Sequence, residues 1–124
     1  MTRVLTFGTF DGFDLGHQQL IRAAAQQGSE LVVAVARDQH VRELKHKEPK
    51  NTENVRLEVI RSQKDVSRAY LSDTQLGSYQ IIDNVHPDVI ALGFDQFALK
   101  ADLERWMAEN GRSIPIILLP QFPE

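Results

Sequence analysis

Apolar positions along the chain fall into two alternating patterns. Short, nearly continuous runs rich in β-branched residues, "VLTFG" (4–8), "ELVVAVA" (30–36), "DVIALG" (88–93) and "IPIILL" (114–119), have the character of strands covered on both faces. "VSRAYL" (66–71) is a further, less apolar strand candidate. Between them, Leu20, Ile21 and Ala24 form one helix-spaced stripe, and Leu99, Leu103, Trp106 and Met107 form another. Gly28 and Gly111 follow these stripes as expected C-terminal caps. Val55, Leu57, Val59 and Ile60 predict a helix after Asn54, a good capping residue. Segment 38–54, "DQHVRELKHKEPKNTEN", lacks a clear apolar stripe, contains Pro49, and is expected to be a long loop of the kind that carries function. The order βαβ, long loop, αβαβαβ predicts an α/β fold: a Rossmann-like three-layer αβα arrangement with a five-stranded, mostly parallel sheet. Ligands of such sheets bind beyond the carboxyl ends of the strands. Residues 6–20, the 37–50 segment and "GFDQF" (93–97) all emerge at that edge.

At 124 residues the chain fits a single domain, 1–124, whose one core buries about two-thirds of the unfolded surface. The 42% hydrophobic and 25% charged fractions are those of a globular chain. A net charge of −3 gives no bulk attraction to nucleic acid or an anionic membrane, so neither is expected as a partner. The absence of cysteine excludes disulfides, thiolate metal sites and cysteine nucleophiles. "MTRVLTFGTFDG" turns polar too early for a signal peptide or a membrane span, and a cytoplasmic location is expected.

The stretch "TFGTFDGFDLGHQQL" (6–20) concentrates the candidate chemistry. Gly8 closes the first strand, Gly12 permits a tight turn, and Gly16 stands beside the helix start, where no side chain blocks a close ligand. Unpaired first-turn N–H groups and the helix dipole suit a phosphate there, although a glycine-rich turn without a ligand has the same spacing. Neither G-x-G-x-x-G nor G-x-x-x-x-G-K-[ST] is matched, which removes the main warrant for a dinucleotide oxidoreductase or a P-loop NTPase. His17, in the first helical turn, can donate to an anion at the helix N-terminus. Lys45, Lys47 and Arg56, each a solvated charge when read alone, emerge from the same sheet edge and together can surround a triphosphate. No resident metal site is expected.

These residues resemble the signature of the cytidylyltransferase-like nucleotidyltransferases, the group of glycerol-3-phosphate cytidylyltransferase and the small FAD synthetases. "FDG" followed by "LGHQ" is most similar to the FAD-synthetase variant, and the resemblance runs from residue 3 to about residue 120 through "ENVRLEVI" and "DVIALGFDQF". It implies transfer of a nucleotidyl group from an NTP, CTP or ATP with Mg²⁺, to a phosphate-bearing acceptor such as glycerol 3-phosphate or FMN, with release of pyrophosphate. By matching position, Gly8, Thr9, Phe10, Asp11 and Gly16 would form the nucleotide site, with Gly93 and Asp95 near the base. His17 would stabilise the α-phosphate, Lys45 and Lys47 would hold substrate or triphosphate oxygens, and Arg56 would support them. A homodimer is implied by the resemblance alone.

Two departures from the family pattern bear on catalysis. The first histidine of the family's His-x-Gly-His element is Asp14 here, and a carboxylate repels phosphate unless it is neutralised, turned away or used as a helix N-cap. The family also continues past the last strand into a Ser/Thr-rich turn and a helix, an element expected to be lacking in a sequence that ends "LPQFPE". The sequence therefore supports an enzyme, and as an alternative a catalytically impaired member that binds a nucleotide or a partner. A receiver-like signalling domain shares the sheet but needs a lysine near the last strand, and "IPIILLPQF" has none.

Overall fold

A computed structural model describes residues 1–121. Five parallel strands, β1 (Arg3–Gly8), β2 (Glu30–Val35), β3 (Arg68–Leu71), β4 (Val89–Leu92) and β5 (Ile116–Leu118), form one sheet in the order β3-β2-β1-β4-β5. The helices are α1 (Leu15–Ala25), α2 (Asp38–Lys45), α3 (Glu53–Arg61), α4 (Gln80–Val85) and α5 (Phe97–Asn110). The expected α/β class, strand number and parallel pairing are all present.

Period-2 alternation along buried strands splits the core into two halves. Leu31, Val33 and Val35 pack with Val4, Ile21, Ala24, Leu57 and Ile60, so α1 and α3 cover that face. Val32 and Ala34 pack with Leu5, Ile82, Val85, Leu103 and Trp106, so α4 and α5 cover the other. The central strand β1 contributes to both halves and is tied to its neighbour by the buried Thr6 hydroxyl, which donates to Ala91 O at 2.7 Å. The strand order reverses at β1. Chain leaving β1 and β2 turns to one face and chain leaving β4 to the other, so a crevice opens at the carboxyl edge between them.

Three local expectations are corrected. Segment 38–54 is not an uninterrupted loop, because α2 occupies its first half. Its apolar content is small, but the buried Val41 and His40 anchor it, and the His40 Nε2–H donates to Thr74 O at 3.1 Å. The cap of α3 is Thr52, whose Oγ1 accepts the Val55 N–H, and Asn54 lies inside the helix. Gly28 is not the C-cap of α1, a place taken by Gln26. Gly28 is small because a Cβ there would stand 2.5 Å from Thr2 O. Gly111 caps α5 in the left-handed region, as expected (φ 66°).

Candidate active site

β1 runs out at Gly8 into a turn whose backbone is held in uncommon conformations. Phe10 (φ 55°), Gly12 (φ 82°) and Phe13 (φ 29°) all have positive φ, and a non-glycine residue in that region costs on the order of 1–3 kcal/mol unless its surroundings fix it. Packing provides that fixation. The Phe10 ring is buried against Gly8, where any Cβ would lie 2.6 Å from the ring, and it meets the Phe13 ring edge-on at 6.5 Å between centroids.

The turn feeds α1 through Asp14, which caps the helix: its Oδ1 accepts the His17 N–H at 3.0 Å. The N–H groups of Leu15 and Gly16 in the same first turn have no intrahelical partner and face the end of the helix, an anion-binding arrangement. The His17 ring stands edge-on to Phe10 at 5.6 Å and stacks on Phe13 at 6.4 Å.

On the other side of β1, the chain leaving β4 makes a turn locked by Gln96. The Gln96 side chain accepts the Gly93 N–H at 2.6 Å and donates to Phe7 O at 3.2 Å, clamping the ends of β1 and β4 together. The two turns form the walls of a cavity of about 1200 Å³ that continues past Lys45 and His40 to the end of β3. That volume exceeds the roughly 300–1,000 Å³ of most single-ligand pockets. Gly8, Thr9, Phe10, Asp14, Gly16, His17, Lys45, Gly93 and Asp95 line it, so the structure brings nine of the sequence-derived candidates to one site.

Three candidates lie elsewhere. Lys47 is exposed beyond the C-terminal end of α2 and does not line the cavity. Asp11 points away from it and accepts the N–H groups of Lys50 (2.7 Å) and Asn51 (2.9 Å), tying the turn after β1 to the loop before α3. Arg56, expected among the phosphate oxygens, is instead 1% exposed. Its Nε donates to Asn51 O (3.0 Å), its Nη1 to Thr9 O and Ala36 O (both 2.8 Å), and its Nη2 to Asp38 Oδ1 (2.7 Å). It is a buried strut beneath the turn after β1, because three backbone carbonyls and a carboxylate use its fork from within.

Burial pushes the Asp11 carboxyl up, but the Lys50 and Asn51 N–H groups and the nearby Arg56 and Lys50 charges outweigh it and hold Asp11 below the usual aspartate value. A carboxyl depressed in the folded state contributes stability that is complete above its unfolded pKa and is lost as pH falls through the lower folded value. Asp11→Asn, which places an amide NH₂ against a backbone N–H, is therefore expected to lower the urea midpoint at neutral pH. The same variant loses less stability than the parent below about pH 4, which urea titrations across that range measure.

Sequence reasoning missed residues on the far side of the cavity. Tyr79 donates to Asp102 Oδ2 at 2.5 Å and packs edge-on against Phe7 and Trp106. Burial and then the Asp102 charge push its hydroxyl well above the usual tyrosine range, so it remains a donor. Asp73 accepts the Gln80 and Ile81 N–H groups and the Ser78 hydroxyl at the start of α4. Isolated Tyr and Asp residues carry no periodic signal, and only the register of β3 and α4 delivers them to this edge. Among the described residues, no group of three His, Asp or Glu side chains is placed to hold a metal ion, and no helix is long and apolar enough to cross a membrane.

Comparison with known proteins agrees with this geometry. Residues 5–122 match the cytidylyltransferase-like family. An FAD synthase of Aciduliprofundum boonei is 37% identical over 98% of this chain and 80% of its own length. An FAD synthase of Korarchaeum cryptofilum is 37% identical over 97% of this chain and 82% of its own length. A solved structure described as the lipopolysaccharide core biosynthesis protein of Thermoplasma volcanium superposes with a TM-score of 0.90 at 35% identity, over 99% of both chains.

Proposed function

The chain belongs to the cytidylyltransferase-like family and is a nucleotidyltransferase, and from that premise we propose that it transfers AMP from ATP to FMN, forming FAD and pyrophosphate. The observation that carries this reading is the large cavity at the carboxyl edge, lined by the N-terminal turn of α1 with His17, whose size suits two substrates. That relatives are named FAD synthase supports FMN over glycerol 3-phosphate as acceptor and ATP over CTP as donor in this reading.

In this reading the adenosine lies between the Gly8–Phe10 turn and the Gly93–Gln96 turn. The α-phosphate sits over the first turn of α1, where the Leu15 and Gly16 N–H groups and the His17 ring face it. Lys45, which also lines the cavity, pairs with phosphate oxygens of either substrate. Magnesium, counted as part of the nucleotide substrate, would supply screening of the phosphate charge. A phosphate oxygen of FMN attacks the α-phosphorus in line, the bond to the bridging oxygen of the β-phosphate breaks, and pyrophosphate leaves with that electron pair. The protein's contribution is to position the two substrates and to stabilise the charge that builds on the α-phosphate. Asp11 and Arg56 hold the nucleotide turn in shape and touch neither substrate.

The alternative of an impaired binding module is not favoured, because Asp14 is occupied as a helix cap and leaves the rest of the site assembled. The test is incubation of the purified protein with Mg²⁺, FMN and either ATP or CTP, followed by chromatography of the flavins. FAD formed with ATP is the expected result. Flavin left unchanged with ATP, or a cytidine dinucleotide formed with CTP instead, overturns this assignment.

A further inference from the structure

The residue that departs from the family pattern is also the one set against the presumed α-phosphate donor. Among the described residues, the only buried side-chain nitrogen or oxygen without a hydrogen-bond partner is His17 Nδ1. The one acidic group paired with it is the Asp14 carboxylate, whose Oδ1 lies 3.5 Å away. The Phe10 and Phe13 rings occupy the flanks of the imidazole, so the ring has little freedom to turn Nδ1 elsewhere. Nε2 makes no hydrogen bond among the described residues, and His17 lines the cavity.

We propose that Asp14 is a positioning residue: with ATP bound, it holds His17 as an imidazolium whose Nδ1–H is directed at the Asp14 carboxylate and whose Nε2–H is directed at the α-phosphate. This rests on the assignment of ATP to the α1 N-terminus. An imidazolium donates from both nitrogens, whereas a neutral ring with its proton on Nδ1 presents a lone pair to the phosphate. Asp14 thus replaces the family's first histidine with a different device. One phosphate-facing donor is given up, and the remaining histidine is oriented by a carboxylate that already belongs to the helix cap. The step needs no proton transfer, because the imidazolium donates hydrogen bonds only and the charge of the attacking FMN oxygen passes to pyrophosphate. The other titratable groups lining the cavity are His40, Lys45, Asp73, Tyr79, Asp95 and Asp102, with Tyr79 donating to Asp102. His40, Asp73 and Asp102 are committed to partners of their own.

Asp14→Asn separates charge from capping, because asparagine caps a helix as well as aspartate does. The expected result is a loss of about tenfold in kcat with KM for ATP changed less than about twofold and an unchanged melting temperature. Asp14→Ala shows the same kcat loss and also melts lower. An Asn variant with the parent's kcat overturns the proposal, as does a kcat loss that disappears on raising Mg²⁺, which would make Asp14 a partner of the metal instead. The independent readout is imidazole ¹⁵N NMR of the unmodified protein with α,β-methylene-ATP and Mg²⁺, with His17 assigned from a His17→Gln sample. Two protonated nitrogens on His17, one of them lost in Asp14→Asn, are expected. Bound nucleotide with a neutral His17 overturns this inference alone, whereas nucleotide that moves no cavity resonance overturns the site assignment with it.

Discussion

Replacing His17 with alanine is expected to lower kcat for FAD formation by on the order of 10²–10³ while KM for ATP stays within about threefold. The size follows from what one well-placed donor contributes where charge develops in the transition state. In a walled cavity such a donor acts in a lower dielectric than water and needs no reorganisation as the reaction proceeds. The split between kcat and KM follows from geometry, since the Leu15 and Gly16 N–H groups and Lys45 remain to bind the triphosphate in the ground state. Alanine is a better helix former than histidine, so α1 itself is not at risk. The lost contacts with Phe10 and Phe13 cost about 0.5–1.5 kcal/mol, visible as a small drop in melting temperature. Initial rates of FAD formation over a matrix of ATP and FMN concentrations measure the effect. A raised KM with the parent's kcat would show that His17 only binds substrate.

The parts of this molecule that were legible in the sequence are those with a repeating signal. Runs such as Leu31–Val35 announce strands buried on both faces, and the spacing of Leu103, Trp106 and Met107 announces a helix over them. That Gly8, Gly16 and His17 come together at one cavity was legible because they lie within a few positions of one another at a strand-to-helix turn, so this part of the candidate site is written locally. α2 was illegible because polar contacts hold it as much as an apolar stripe does: Arg56 to Asp38, Glu53 to the Asp38 N–H, and His40 to Thr74 O all come from distant sequence. Gln96, Tyr79 and Asp102 escaped for the same reason. Each is an ordinary residue in its own segment, and it enters the site only because β4, α4 and α5 end where they do. Arg56 shows the reverse error, in which a cation near a phosphate turn was read as a ligand although sequence carries no measure of its burial.

Arg56→Met is therefore expected to act on folding before it acts on catalysis. Methionine fills a comparable volume, but it leaves the Asn51, Thr9 and Ala36 carbonyls and the Asp38 carboxylate, 17% exposed, without their donor. Breaking one side of a buried ion pair costs about 3–5 kcal/mol, because the abandoned charge stays desolvated. Against a total of roughly 5–15 kcal/mol for a domain, that is a large fraction of the stability. Urea unfolding of the variant should show a much lower midpoint. Adding Asp38→Asn should restore part of the loss, because it removes the stranded charge but not the three unpaired carbonyls. Arg56→Lys should fall between, since a single ammonium cannot span four acceptors set around a planar fork. The two roles once open to Arg56 give opposite results. As a strut, its loss lowers stability first and alters ATP affinity only through the loosened Thr9 turn. As a phosphate ligand, its loss raises KM for ATP by about tenfold or more in a protein as stable as the parent, and that outcome would return Arg56 to the triphosphate.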